Sequence, residues 1–485
     1  MVRTRSDLSR EEIRVGLRGL VGASKVCIDD EQLRVASVDR FKKYMAANGI
    51  YDGPIPAAIV LVSSTAEVAA VLRFANEHTI NVVPRTGMTA TEGGLETIVE
   101  DSIVLDGSPM STIVSIDPLN MMATAQCGVP LQVLEDAVRA VGLTTGNSPQ
   151  SKPLAQMGGL TATRSIGQLS TMYGAIEDMV LGLEAVFPDG TVCRVKSVPR
   201  RAAGPDIRQI VIGSEGALCF ITEVTVKLFR FEPENDVYRG FLVEDMETGL
   251  DVIREIVTAG FRPAVCRLYS EEDGRQGFGE LTKGKCVMVF ICQGARSLVA
   301  ATVAAIDRVV AARTHEVMPG EPLVRWFDQL NWGSERIEGE KVTMRRERWL
   351  GYTTEISANW SDVADIYNSV MRRMRTEYPH IDDVTLLGAH SSHSYQTGTN
   401  LYFVYNYDVR CDPRQEIDKY HIPINAIIVE AALAHGGSMV HHHGIGKYRT
   451  DWTEEEHGSA YYLLAKLKET FDPNGVMNKG TIFRA

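Results

Sequence analysis

Three consecutive histidines stand near the end of the chain, His441, His442 and His443, within Ser438-Met439-Val440-His441-His442-His443-Gly444-Ile445-Gly446-Lys447. Side by side they offer proton donors, proton acceptors and metal ligands near neutral pH. An extended run would send His441 and His443 to one face and His442 to the other. Gly444 and Gly446 permit a tight turn or a close approach to a ligand. The run is internal and flanked by apolar Met439, Val440 and Ile445, which argues against an appended tag or a solvated turn. We therefore read it as a functional site.

The elements that position such a site are bounded by composition. A chain of 485 residues is too long for one core, so two or three domains are expected. Hydrophobic residues make up 44% and charged residues 23%, as in ordinary globular proteins. The formal net charge of −12 and the lack of a sizeable basic run exclude a nucleic-acid or anionic-membrane surface. The opening residues 1–7 are charged, with no apolar run behind them, and do not read as a secretory signal. The longest apolar stretches, such as 57–62, are strand-sized and too short to cross a bilayer. The eight cysteines show no Cys-x-x-Cys spacing and read as reduced core thiols of a cytoplasmic protein. Cys127 and Cys219 are the two that could approach a cofactor.

Along the chain, residues 7–50 read as mostly helical, opened by a capping box at Ser9 and Glu12. A buried strand at 57–62, a helix from Thr65 and a second strand at 81–84 make a β-α-β unit. The loop that follows, Arg85-Thr86-Gly87-Met88-Thr89-Ala90, is built of small residues whose backbone N–H groups can cradle a phosphate. Neither Gly-x-x-x-x-Gly-Lys-Ser/Thr nor a helix-opening Gly-x-Gly-x-x-Gly occurs, which argues against a P-loop nucleotidase and a nicotinamide dehydrogenase. A helix is expected at 129–141, strands at 180–187, 191–195 and 220–229, then strands at 240–243, 286–291 and 401–407. Helices are expected at 249–259, 297–313, 362–378 and 454–471.

Several motifs then fall in one order: Gly158-Gly159 to Arg164, Tyr173-Gly174 with Glu177-Asp178, Gly204-Pro205-Asp206, Gly213-Ser214-Glu215-Gly216, and Phe471-Asp472-Pro473-Asn474-Gly475. In this order the chain resembles the vanillyl-alcohol-oxidase-type (PCMH-type) flavoproteins. The Gly-Pro-Asp element and the histidine run look most like the alkyldihydroxyacetonephosphate synthase branch, with FAD-linked D-lactate and glycolate dehydrogenases more distant. The resemblance implies an α+β fold with a two-part FAD-binding domain and a cap domain of mixed sheet and helices. It implies an N-terminal helical segment at 1–53, the FAD-binding domain at 54–233, the cap at 234–430, and a C-terminal segment at 431–485 that returns to the FAD domain. The cofactor segments carried over are Pro84, Arg85, Thr86, Gly87, Met88, Thr89 and Ala90; Gln150, Ser151, Gln156, Gly158 and Gly159; Thr163, Arg164, Ser165 and Ile166; and Glu215, Gly216 and Ile221. Thr86 and Met88 replace the family's usual glycines, and Arg85 is unusual there, with a charge that would compensate for a less intimate loop. No histidine lies between 81 and 100, where relatives often anchor flavin covalently, so non-covalent FAD is expected.

The same resemblance points to Arg267, Tyr402 and the histidine run as catalytic, with Tyr405 and Tyr407 as rivals of Tyr402. A guanidinium grips a carboxylate or phosphate, and a phenol or imidazole takes the proton of an alcohol. In Gly388-Ala389-His390-Ser391-Ser392-His393, His390 and His393 join His442 as candidates for a divalent metal, the lesser expectation because the relatives' acidic residues are missing. Arg345, Arg346 and Arg348 read as a solvated face. The expected function is an FAD-dependent oxidoreductase that oxidises the CH–OH group of a small anionic hydroxy acid or polyol by hydride transfer to flavin. The alternatives are acyl-for-alkyl exchange through a flavin adduct, as in the synthase branch, and a non-enzymatic electron carrier. An electron acceptor such as oxygen, a quinone or an electron-transfer protein is required, and a homodimer is allowed.

Overall fold

The computed structural model describes residues 6–485, so the reading of residues 1–5 lies outside the described residues. The first helix, Arg10–Val21, starts where expected. Ser9 caps it, and Glu12 reaches back to the Ser9 backbone, while Ile13, Leu17 and Val21 bury one face. Residues 26–27 depart from the helical expectation. The β-branched Val26 extends the chain, and Val26–Cys27 pairs antiparallel with Val60 and Ile59. This edge completes a four-stranded sheet ordered Val26–Cys27, Ala58–Leu61, Ile103–Asp106, Val82–Arg85, the last three parallel. The helix Thr65–Glu77, capped by Ser64, crosses over it, and each fully buried aliphatic side chain beneath contributes about 1.5–3 kcal/mol. The second sheet is antiparallel, in the order Ile113–Asp117, Met122–Gln126, Phe220–Lys227, Val180–Val186, Val192–Val195.

The third sheet positions the chemistry. Its six strands run Val237–Val243, Cys286–Cys292, Val265–Tyr269, Val384–Ser391, Gly398–Asp408 and Trp349–Asn359. The register sets Glu355 opposite Tyr402, Tyr402 opposite His390, and His390 opposite Tyr269. Side chains directly opposite share a face, so these four form one row across the sheet, and Arg267 joins that face two residues from Tyr269. Tyr405 and Tyr407 differ from Tyr402 in parity and point the other way. Both are fully buried, Tyr405 against His421 and Tyr407 against Glu416. Arg345, Arg346 and Arg348 are exposed.

The C-terminal segment binds back to the first sheet, through Val82 N–H to the Val476 carbonyl at 2.7 Å and Asn478 N–H to the Val82 carbonyl at 2.8 Å. The helix expected at 454–471 is broken into Thr453–His457 and Tyr461–Phe471, because Gly458 turns left-handed at φ 50°. Buried Asp472 then holds the final turn. Its carboxylate accepts from Val476 N–H and Met477 N–H at 2.9 Å and from Lys468 Nζ at 2.5 Å. Asp472→Ala strands two buried N–H groups and a lysine and is expected to cost about 3 kcal/mol. Urea titration reads this as a lowered midpoint at unchanged slope.

Candidate active site

A cavity of about 580 Å³ opens between the loops of the first two sheets and the face of the third. That is within the range of small-molecule and cofactor sites. The loop 84–90 lines it, as do Gln150, Ser151, Gln156, Gly158, Gly159, Thr163, Ser165, Ile166, Glu215, Gly216 and Ile221. Gly87 is packed so tightly that a Cβ would lie 2.5 Å from the Leu154 carbonyl. Met88 keeps the left-handed conformation, φ 54°, that a glycine would adopt there, and its side chain is 55% exposed. The hydroxyl of Thr86 and the amide oxygen of Gln156 are buried in this wall without a partner among the described residues. Orphaned polar groups and a small-residue cradle are what a polyhydroxylated, phosphorylated cofactor satisfies, so the wall fits FAD.

Two members of the expected set are engaged elsewhere. Arg164 does not line the cavity. Its left-handed backbone, φ 52°, turns the side chain outward to Glu177 at 3.0 Å, half exposed. Arg85 does line it, but its charge is paired with buried Asp106 at 2.8 Å and is not free to compensate for the loop. Cys219 is on the wall and Cys127 packs behind Gly158. Burial pushes both thiols up to about 12, so they stay protonated.

The histidine run is not extended. It curls around the carboxylate of Glu355, which is wholly buried. Glu355 Oε1 accepts the backbone N–H of His441, His442 and His443 at 3.3, 3.1 and 2.8 Å. Its Oε2 meets His443 Nδ1 at 2.9 Å and the buried guanidinium of Arg449 at 3.0 Å. Glu92 flanks the same pair, 3.3 Å from His443 Nδ1 and 3.3 Å from Arg449 Nε. Gly444 and Gly446 make the curl possible. At φ 85° and 56° they approach so closely that added Cβ atoms would lie 2.8 Å from the Glu215 carboxylate and 2.0 Å from the Glu92 carbonyl. Glu215 accepts Ile445 N–H and Gly446 N–H at 2.8 Å each. Burial pushes its carboxyl up to about 7, with the two N–H donors pulling the other way. Lys447 ties the end of the loop to Asn478 and Thr481.

This arrangement makes the three histidines unequal. Burial opposes a charge on His443, but Glu355 outweighs it and holds the imidazole well above its ordinary range. Burial likewise opposes a charge on Glu355, and Arg449 and His443 hold it well below the carboxylate range. His442, without such a partner, is driven well below its ordinary value by burial and then by the charge of His443, and His441 falls to about 4 by burial. His442 and His443 line the cavity, whereas His441 lies behind them. Tyr402 lines it as well, its oxygen accepting from Thr353 Oγ1 at 2.9 Å and standing 3.4 Å from His443 Nε2. Arg267, only 3% exposed, reaches the cavity from the next strands. It donates to Gln168 Oε1 at 2.5 Å and to His390 Nε2 at 2.7 Å, and its Nε has no partner among the described residues. Asp273, 2.6 Å from His390 Nδ1, fixes that tautomer. Burial and then Arg267 lower His390 to about 4.

The metal candidates His390, His393 and His442 are not brought together as a set, because His390 is bound into the pair with Asp273 and Arg267. His393, His441 and His442 do place nitrogens within 4.8 Å of one another, as do Glu92, Glu355 and His443 in ligand atoms. In the first cluster the Nδ1 of each ring is used within the protein, that of His393 by Ser170 at 2.6 Å and those of His441 and His442 by each other, and His441 Nε2 is taken by Tyr395. The sequence reading missed Glu355, Glu92, Arg449, Asp273 and Gln168. One signal was available: a lone glutamate inside Tyr352-Thr353-Thr354-Glu355-Ile356, a run otherwise made for a buried strand.

Residues 56–196 match the family described as FAD binding domain, and residues 232–482 match that described as FAD linked oxidases, C-terminal domain. The chain belongs to the FAD-linked oxidases. A protein of Escherichia coli (strain K12) named an uncharacterized FAD-linked oxidoreductase, YgcU, is 58% identical over 98% of this chain and 99% of its own. Alkyldihydroxyacetonephosphate synthase of Caenorhabditis elegans is 26% identical over 87% of this chain and 75% of its own. A solved alkyldihydroxyacetonephosphate synthase superposes with a TM-score of 0.78 at 20% identity, covering 99% of this chain and 86% of that one. This FAD-linked oxidase is therefore a flavoprotein and an oxidoreductase, with the fold of the PCMH-type FAD oxidases. No helix among the described residues is long and apolar enough to cross a membrane.

Two outcomes follow from this oxidase's site. His390 is held neutral, so its contribution to stability is present above the unfolded value of about 6.5 and is lost as pH falls toward its folded value. His390→Asn removes that loss, so between about pH 7 and about pH 5 its melting temperature should fall less than the parent's. Glu355→Ala leaves two buried cations, Arg449 and His443, to share Glu92 alone and is expected to cost about 3–5 kcal/mol, read by chemical denaturation.

Proposed function

We propose that this oxidase oxidises the CH–OH group of a small anionic substrate, a hydroxy acid or a phosphorylated polyol. The observation that carries the proposal is Arg267, a buried guanidinium on the cavity wall with neutral partners and, among the described residues, one N–H unsatisfied and no ion pair. A buried charge of that kind needs an anion, and the planar fork suits a carboxylate or phosphate. Tyr269 and Trp326, 5.0 and 5.6 Å from the guanidinium carbon, supply faces that keep it in place. When bound, FAD supplies the hydride acceptor.

The chain's own groups divide the remaining work. Arg267 holds the anion and so presents the neighbouring carbinol to the wall where Tyr402, His442 and His443 meet. Tyr402, with Thr353 and His443 donating to its oxygen, keeps its own O–H free to orient the substrate's oxygen. His443, charged, stabilises negative charge on that oxygen but has no room for a further proton. His442, neutral and on the wall, is the group able to accept the substrate's O–H proton. The binding of FAD is proposed as non-covalent, supported by the absence of histidine in the loop 84–90.

The test is an anaerobic screen of hydroxy acids and phosphorylated polyols for bleaching of the flavin band. At least one is expected to bleach it, and Arg267→Lys should raise the half-saturating concentration while the flavin spectrum stays normal. Tyr402→Phe should slow bleaching by about 10²-fold or more. A screen in which only neutral alcohols bleach would contradict the proposal. Acid precipitation should release all the flavin into the supernatant, and colour retained on the chain would show a covalent link.

A further inference from the structure

His442 lies on the cavity wall, and Tyr395 reaches the protein surface with 38% of its area exposed. His441 stands between them. Its Nδ1 is 2.8 Å from Nδ1 of His442, and its Nε2 is 2.7 Å from the Tyr395 hydroxyl. The line is held rigidly. The His393 ring stacks on His441 at 5.1 Å and meets His442 edge-on at 5.3 Å, with its own Nδ1 fixed by Ser170. The backbones of both histidines are pinned to Glu355. His442 Nε2 has no hydrogen-bond partner among the described residues, which leaves it to the cavity.

Two Nδ1 atoms in hydrogen-bond contact require a proton on one and a lone pair on the other. Two neutral tautomer pairs satisfy this. In one, His442 Nδ1–H donates to His441, and His441 Nε2–H donates to Tyr395, which leaves the Tyr395 O–H free to donate elsewhere. In the other, Tyr395 donates inward, His441 Nδ1–H donates to His442, and His442 Nε2 carries the proton at the cavity. The two differ only by one proton displaced at every link between cavity and surface.

We propose that His442, His441 and Tyr395 form a proton wire that carries the substrate's hydroxyl proton from the cavity to solvent. This rests on the oxidation reading above. The O–H proton passes to His442 Nε2, His442 Nδ1–H to His441 Nδ1, His441 Nε2–H to Tyr395, and the Tyr395 proton to surface water. The C–H hydrogen and its electron pair are those that FAD accepts, and the substrate is left as a carbonyl. No ring gains net charge, and after the product leaves, cavity water takes the proton on His442 Nε2 while surface water returns one to Tyr395, which resets the tautomers. Burial lowers His442 and His441 so far that neither retains an added proton alone, so a base at this position has to pass its proton on.

The first test needs no substrate. In the full-length FAD-loaded protein with ¹⁵N-labelled histidine, His441 and His442 should each carry one protonated ring nitrogen near neutral pH, with a scalar coupling between their Nδ1 atoms. Tyr395→Phe should shift His441 Nε2. Absence of the coupling, a charged ring, or a metal ion found bound to these nitrogens by elemental analysis would overturn the wire. The second test uses the compound that bleaches the flavin fastest in the screen. Tyr395→Phe should slow bleaching about a hundredfold with half-saturation unchanged, and added imidazole should restore it. An unslowed rate, or a loss that imidazole cannot repair, overturns the proposal. If no compound bleaches the flavin, the oxidation reading fails, while the coupling still decides whether the wire exists.

Discussion

The site depends on one carboxylate. Glu355 is fully buried in the middle of a strand, a position that costs several kcal/mol unless every lone pair is satisfied. Its partners are three successive backbone N–H groups, a guanidinium and an imidazole. Remove it and the loop loses the centre it winds around, and Arg449 and His443 become buried cations flanked by Glu92 alone. The curl of the histidine run is thus not a property of the run. It is imposed by a residue 86 positions earlier, delivered by the register that sets Glu355 beside Tyr402.

That same contact sorts the histidines by charge. His443 touches the carboxylate through its ring and stays charged, whereas His441 and His442 touch it only through their backbones and stay neutral. Adjacent residues of one type thereby acquire opposite protonation states within a few ångströms. On the far side of Tyr402, Asp273 and His390 do the equivalent for Arg267, fixing its direction while leaving its charge uncompensated. The sheet row from Glu355 through Tyr402 and His390 to Tyr269 is the scaffold on which both halves are aligned.

Much of the scaffold was legible because its signals are local. The Ser9–Glu12 capping box, the helix from Thr65 and the strand around Tyr402 each follow from nearby residues. Where a distant partner or a single torsion decided the outcome, the reading failed. Val26–Cys27 became a strand because Ile59 and Val60 offered an edge, and Gly458 broke a helix whose periodicity continues through it. In the site, which face of the strand around Tyr402 meets the cavity, and so whether Tyr402 or the pair Tyr405 and Tyr407 lines it, needs the strand register. The set of histidines that cluster also needs the fold, which puts His441 where His390 was expected and gives His390 to Arg267. Arg85 and Arg164 illustrate the same limit: the sequence shows a charge, and only the fold shows that Asp106 and Glu177 already hold it.

The most direct measurement of this account is the charge on His443. Histidine ¹⁵N spectra of the FAD-loaded protein, titrated from about pH 6 to about pH 9, report the protonation of each ring separately. The account predicts that His443 keeps both ring protons through neutrality, and that Glu355→Gln brings its titration down toward the ordinary histidine range. A His443 ring that is neutral near pH 7 in the parent, or one whose titration is indifferent to Glu355→Gln, would contradict it.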